Sequence, residues 1–102
     1  MTTSNSTYSD RYIQEKAKGS PIKGQDILDA SKKYNVDPNL VMALMQQDSS
    51  FGTKGKAIRT KNPGNVGNTD NGGTQRFKSW RDGVFGVAEN LSKRKITNEK
   101  SV

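Results

Sequence analysis

The sequence predicts one small domain that is mainly α (α+β), in which a few amphipathic helices are joined to a short β-hairpin. Apolar residues recur at helical spacing in three segments. Glycine and asparagine concentrate in the connection between two of them, where "NTDNGGTQ" has the composition of a hairpin turn. The chain has 102 residues and 29% of them are hydrophobic, so we expect one compact core and no second domain.

Residues 1–19 are rich in Ser, Thr and Lys. Their few apolar residues include Tyr8, Tyr12, Ile13 and Ala17. Such a composition buries little apolar surface, so we expect a flexible polar arm that holds at most a short helix.

The first amphipathic helix is predicted over residues 25–34, where Ile27, Leu28 and Ala30 lie on one face and Asp29 falls roughly opposite. A turn follows, with Asp37 as the N-cap of a second helix. Pro38 follows at the first helical position, where its missing N–H costs nothing. Residues 38–48 are therefore predicted to form that helix.

The last core helix is predicted to begin after Ser79, an N-cap residue with Asp82 three positions later. One apolar stripe then follows, formed by Trp80, Val84, Val87, Ala88 and Leu91. Gly83 and Gly86 each weaken a helix by roughly 1 kcal/mol relative to alanine, so we expect close packing against a neighbouring segment to hold this helix together.

The folded domain is therefore expected to span residues 20–92. Residues 93–102 are expected to be a basic tail that complements the helix C-terminus and then frays.

The chain contains no cysteine and no histidine. Disulfides, thiolate metal sites, a cysteine nucleophile and the usual general base are therefore excluded. Catalysis would depend on carboxylates, and neither a metal nor another cofactor is expected.

Lys and Arg outnumber Asp and Glu by 17 to 10, which gives a formal charge of +7 and favours a polyanionic partner. No apolar run resembles a signal peptide or a membrane span. If the protein acts outside the cytoplasm, we expect a larger parent chain or another protein to provide the export route.

Local chemistry leaves two acids unexplained, Asp48 and Asp70, and Asp48 is the one on a predicted helix. On a helical wheel that starts at Leu40, Leu44 falls at about 40°, Val41 at about 100°, Met45 at about 140° and Asp48 at about 80°. The carboxyl group would then lie at the centre of the apolar stripe, where desolvation and the helix C-terminus both raise its pKa, as a general acid requires. Alternatively, the helix ends before Asp48, which would then be a solvated turn residue.

Three segments, "DSSFG", "NPGNVGN" and "RFKSW", occur in an order that resembles the glucosaminidase family of peptidoglycan hydrolases, within the lysozyme-like superfamily. The resemblance extends from Ile22 to Leu91. Lytic transglycosylases share the first segment, but their usual Gly-Leu-Met-Gln segment is missing here. The resemblance implies a lysozyme-like fold and cleavage of β-1,4 bonds between aminosugars.

Asp48 stands where this family carries the catalytic glutamate, so the resemblance implies that Asp48 protonates the leaving glycosidic oxygen. The side chain is one methylene shorter, and a misplacement on the order of 1 Å can cost about a hundredfold in rate. Asp70 is the remaining candidate for a second catalytic carboxyl group, although "TDNGG" equally suits a tight turn. The N-acetyl group of the substrate could replace it.

Six residues are candidates for substrate binding, through hydroxyl, amide or aromatic groups: Ser49, Phe51, Asn62, Asn65, Asn68 and Phe77. Each has a structural alternative, because serine ends helices, asparagine forms turns and aromatic rings fill cores. Trp80 lies on the apolar stripe and is interpreted as a core residue.

The expected partners are peptidoglycan glycan strands and anionic cell-wall polymers, bound by a monomer. Two other function classes remain open. The first is a glycan-binding module that has lost catalysis through the Glu-to-Asp change. The second is nucleic-acid binding, which is disfavoured because residues 38–48 contain no Lys or Arg to contact phosphates. Neither nucleic acid nor a membrane is an expected partner.

Overall fold

The computed structural model describes residues 2–67 and 75–101, with side chains for residues 6–67 and 75–94. It is mainly helical, and the described ranges contain no strand. These ranges contain five helices: α1 (Thr2–Lys16), α2 (Gly24–Tyr34), α3 (Pro38–Ser49), α4 (Ala57–Thr60) and α5 (Trp80–Ser101). The predicted hairpin turn falls almost entirely on residues 68–74, outside the described residues.

The expectation of at most a short helix in residues 1–19 is wrong. Helix α1 contains 15 residues, and Ile13 and Ala17 are buried in the core. The buried positions Ser9 and Ile13 are four residues apart and share one face of the helix, and buried Ala17 follows directly after its last residue. This narrow apolar face is sufficient because α1 packs against α2, which removes it from water.

Helix α2 lies at the centre of the fold and packs against α1, α3 and α5. The core is formed by apolar side chains from the four long helices and the α3–α4 connection, including Ile13, Ile27, Ala30, Val41, Met45, Phe51, Val84, Val87 and Leu91. The predicted first amphipathic helix is confirmed as α2. It ends at Tyr34, as expected, and begins one residue earlier than expected.

Helix α3 begins as predicted. The Asp37 carboxylate accepts a hydrogen bond of 2.8 Å from the backbone N–H of Asn39, and Pro38 occupies the first turn. The start of α5 is also confirmed, because the Ser79 hydroxyl accepts a bond of 3.1 Å from the N–H of Asp82. The predicted end of this helix is wrong, since α5 continues through the expected tail to Ser101.

Arg81 connects α5 to α2 at the surface through two carboxylates and an aromatic ring. The Arg81 guanidinium donates to the carboxylates of Asp26 at 2.7 Å and Asp29 at 2.9 Å, and lies 4.7 Å from the centre of the Phe85 ring. Hydrogen bonds from Gln25 and Arg81 lower the pKa of Asp29. Arg81 therefore positions α5 on α2, and its charge is already matched within the protein.

The two glycines of α5 mark close contacts, as predicted. A Cβ atom on Gly83 would overlap the carbonyl oxygen of Lys61 and lie 2.9 Å from Cδ of Pro63. A Cβ on Gly86 would lie 2.5 Å from Cζ of Phe77. Because these two glycines have no side chain, the α4–α5 connection can lie directly on α5.

Substituting Gly83→Ala is expected to destabilise the protein by about 1–3 kcal/mol, because overlap with the Lys61 backbone outweighs the gain of about 1 kcal/mol in helix propensity. Urea unfolding would measure the difference. Glu89→Ala, an exposed change on the same helix, is the matched control and should remain within about 0.5 kcal/mol. A Gly83→Ala protein more stable than the wild type would contradict the close contact.

Candidate functional site

The candidate site lies where α3 ends and the chain changes direction. Ser50, Phe51 and Gly52 follow one another with φ angles of 48°, 56° and 81°. The left-handed region is costly for residues with a side chain, so two such residues in succession must be held by their surroundings. This conformation directs Phe51 into the core, where it is completely buried.

Hydrogen bonds from two buried serines hold this reversal. The Ser49 hydroxyl donates to the carbonyl oxygen of Pro63 at 2.6 Å and accepts from the N–H of Gly52 at 2.8 Å. From the other side, the Ser20 hydroxyl donates to the carbonyl oxygen of Phe51 at 2.6 Å. Ser49 therefore ends α3 and also joins it to the loop that follows α4.

Asn62 organises that loop from within. Its amide nitrogen donates to the carbonyl oxygens of Val66 at 2.8 Å and Gln75 at 2.9 Å, and its amide oxygen accepts from the N–H of Val66 at 2.9 Å. The side chain is only 2% exposed. The turn role considered for this asparagine is thus the one the structure shows.

A pocket of about 200 Å³ opens between the end of α3 and this loop. We call it the Asp48 pocket; its lining residues are Asp48, Ser49, Lys54, Lys56, Ala57, Asn62 and Asn65. Pockets for drug-sized ligands occupy roughly 300–1,000 Å³, so this one suits a single ring or substituent of a larger ligand.

Asp48 lies in the last turn of α3, so the alternative in which the helix ends earlier is excluded. The prediction that its side chain lies on the buried face is wrong, because Asp48 is exposed at the edge of the pocket. The buried face instead carries Val41, Met42, Met45 and Ser49. Leu40, the reference point of the wheel, is 53% exposed.

The direction of the pKa shift is nevertheless the expected one. Partial desolvation of the carboxyl group raises the pKa of Asp48, and the positive charge of Arg94 opposes this by lowering it. Arg94 falls in the segment that the sequence predicts to be a fraying tail, whereas α5 includes it and its charge acts on Asp48. The helical spacing of the apolar stripe, continued three residues beyond Leu91, could have predicted that Arg94 belongs to α5.

The Asp48 pocket includes four of the eight candidate site residues: Asp48, Ser49, Asn62 and Asn65. The predicted role of Phe51 in substrate binding is wrong, because a fully buried ring cannot stack on a sugar. Phe77 packs over Gly86 and lines a different pocket, beside Glu89 and Lys93.

Asn68 and Asp70 lie outside the described residues. Trp80 is partly buried and packs against the core, with its ring over Gly52.

Two lysines complete the Asp48 pocket. Lys54 and Lys56 are both exposed and line it together with the carboxyl group. Among the pocket's described residues, positive charge exceeds negative charge, which favours a ligand that carries an anionic group. In the sequence they contribute only to the overall excess of positive charge, and their spacing does not predict a pocket.

The described side chains include no group of three or more acidic residues placed to hold a metal ion. No helix within the described ranges is both long and apolar enough to cross a bilayer. Comparison with protein-family models, with curated proteins and with solved structures finds no significant match to this chain.

Replacing Arg94→Gln is expected to raise the pKa of Asp48 further, because the charge that stabilises its anion is removed. Carboxyl-selective ¹³C NMR over a pH series would measure this pKa.

A raised pKa also means that ionising Asp48 costs stability, so the stability of the wild type relative to Asp48→Asn should fall as the pH rises through that pKa.

Arg59→Gln, an exposed change of equal charge on α4, serves as the control and should shift the Asp48 pKa less. Equal shifts in the two variants would show that overall charge, rather than the proximity of Arg94, sets the pKa.

Proposed function

We propose that this protein cleaves β-1,4 bonds of a peptidoglycan-type aminosugar polymer, with Asp48 as the general acid. The observation that carries this proposal is the position of a partly desolvated carboxyl group at the edge of a pocket lined by asparagine and lysine side chains. We propose with it a lysozyme-like fold and a short β-hairpin around residues 68–75.

The chemistry begins with protonation of the leaving glycosidic oxygen by Asp48. A raised pKa supports this step because it keeps more of the carboxyl group protonated at a given pH. The helix end restrains the acid, since the next residue, Ser49, is fixed by its bond to Pro63. A general acid held in this way contributes roughly 10²–10⁴-fold to a rate.

A second group must stabilise the sugar cation or activate water. Asp48 is the only carboxylate among the described residues that line its pocket. The candidates are Asp70 and the N-acetyl group of the substrate, which some glycosidases use in place of a second carboxylate. Asn65 is exposed at the pocket and could bind an acetamido group through its side-chain amide.

Lys54 and Lys56 support an anionic glycan as the substrate class. Wall polymers carry carboxylate or phosphate groups, and ammonium groups attract these in a salt-dependent way. The same features are compatible with a binding module without catalysis. The exposure of Asp48 favours this second candidate, because water around a carboxylate weakens its action as a general acid.

Asp48→Asn is expected to lower the release of soluble fragments from purified peptidoglycan at least about a hundredfold, because the amide cannot donate a proton as an acid. Asp48→Glu should retain or increase turnover, since the longer side chain restores the reach of the related family. Mass spectrometry of the products would measure release and identify the new sugar ends.

Glu15→Gln, an exposed change on α1, is the matched control and should leave turnover unchanged. Wall binding without fragment release, together with no gain in Asp48→Glu, would reject the enzyme and favour the binding module.

The double variant Lys54→Gln/Lys56→Gln is expected to bind wall fragments about tenfold more weakly at low salt, because each exposed charge pair contributes up to about 1 kcal/mol. Near 1 M salt the difference should vanish, since the screening length falls to about 3 Å. A sedimentation assay would measure binding. Lys18→Gln/Lys23→Gln removes the same charge from exposed positions elsewhere, and an equal loss of binding there would contradict a local role for the pocket lysines.

A further inference from the structure

A second pocket lies between α1 and α3. We call it the tyrosine pocket; it has a volume of about 180 Å³ and is lined by Tyr8, Tyr12, Asn39, Met42, Ala43 and Gln46. We propose that the tyrosine pocket binds one uncharged, N-acetylated pyranose ring of a glycan, as an accessory site separate from the Asp48 pocket.

Two tyrosines form the aromatic side of this pocket. Tyr8 and Tyr12 are four residues apart on α1, with ring centres 6.5 Å apart and planes inclined by 33°. Tyr8 is 64% exposed, so much of its ring is open to solvent. A pyranose presents C–H groups on its face and hydroxyls at its edge, so it can cover such a ring while its polar groups stay solvated.

Tyr12 is held in place by three different contacts. Its ring meets Phe51 edge-on at 6.2 Å, the Lys16 ammonium lies 5.7 Å from its centre, and its hydroxyl donates to the Gln46 amide oxygen at 2.9 Å. Tyr12 is thereby a fixed wall of the pocket. Tyr8 is the ring with open surface for a ligand.

Helix α3 provides the amide groups. The bond from Tyr12 occupies the amide oxygen of Gln46, and no acceptor within the described part of the chain is bonded to its N–H groups. Asn39 is exposed at the same pocket and adds a second amide. Paired amide donors and acceptors match the carbonyl and N–H of an acetamido substituent.

The lining selects against other ligand classes. It contains no acidic or basic residue, so it gives no charge complementarity to an anion or a cation. Proline-rich peptides also bind between aromatic rings, but they need an extended groove. A cavity of 180 Å³ suits one ring better than a peptide segment.

The tyrosine pocket lies on a different side of α3 from the Asp48 pocket. Gln46 and Asp48 are two residues apart, which corresponds to about 200° around a helix. A ring bound here is therefore not next to the proposed acid. A glycan held at one pocket would raise the effective concentration of neighbouring strands at the other.

The test is an NMR titration of the ¹⁵N-labelled full chain with tetra-N-acetylchitotetraose. Saturable shifts are expected in the side-chain amides of Asn39 and Gln46 and in the backbone amides of residues 8–12. Tyr8→Ala should weaken this binding about tenfold, because the open aromatic face that would cover the sugar is removed. Tyr8→Trp should preserve it, because the aromatic face remains.

Ile58→Ala, at an exposed apolar side chain on α4, is the matched control and should not change the affinity. Amide spectra of each variant would confirm the fold. Unchanged binding in Tyr8→Ala, no shifts near α1 with the sugar, or shifts there with a proline decapeptide instead would each overturn the site.

The two pockets can fail separately. Shifts near Tyr8 combined with no turnover of peptidoglycan would support the accessory site and reject the proposed catalysis. Turnover that requires Asp48, with sugar-induced shifts confined to the Asp48 pocket, would do the reverse.

Discussion

The hydroxyl of Ser49 joins the last turn of α3 to the loop after α4, and much of the described structure depends on this short connection. It accepts from Gly52 and donates to Pro63, so one buried side chain stabilises both the left-handed reversal and the position of the loop. The reversal in turn brings Phe51 into the core. Without these bonds, two consecutive non-glycine residues in the left-handed region would be unfavourable.

The same connection determines where Asp48 lies. Because Ser49 must face inward to reach Pro63, the preceding residue is rotated by about 100° and comes to the helix surface. The carboxyl group is then partly desolvated by the pocket without being buried. For the proposed general acid, such a position combines exposure to solvent with a raised pKa, two properties that oppose each other.

Helix α3 presents different chemistry on different sides. Its apolar face packs on the core, its C-terminal turn carries the acid, and Asn39 and Gln46 meet the tyrosines of α1. The two pockets also differ in charge, since lysines line one and uncharged groups line the other.

The sequence alone determined the helical class, the starts of α3 and α5 through Asp37 and Ser79, and the close packing at Gly83. These features are local, because a cap or a missing side chain acts within a few residues. Residues 40–45 are all apolar, so a helical wheel could not decide which side of α3 faces inward. Tertiary contacts alone determine that Val41 and Met45 are buried and that Leu40 is exposed. The same contacts leave Asp48 exposed.

The length of α1 and the pockets also depended on the tertiary structure. Ile13 and Ala17 form too narrow an apolar stripe to predict a stable helix alone, and packing against α2 provides the missing burial. Each pocket combines residues far apart in the chain, such as Tyr8 with Gln46 and Asp48 with Asn62. Sequence spacing carries no information about such pairs, because the folding of the connecting chain is what brings them together.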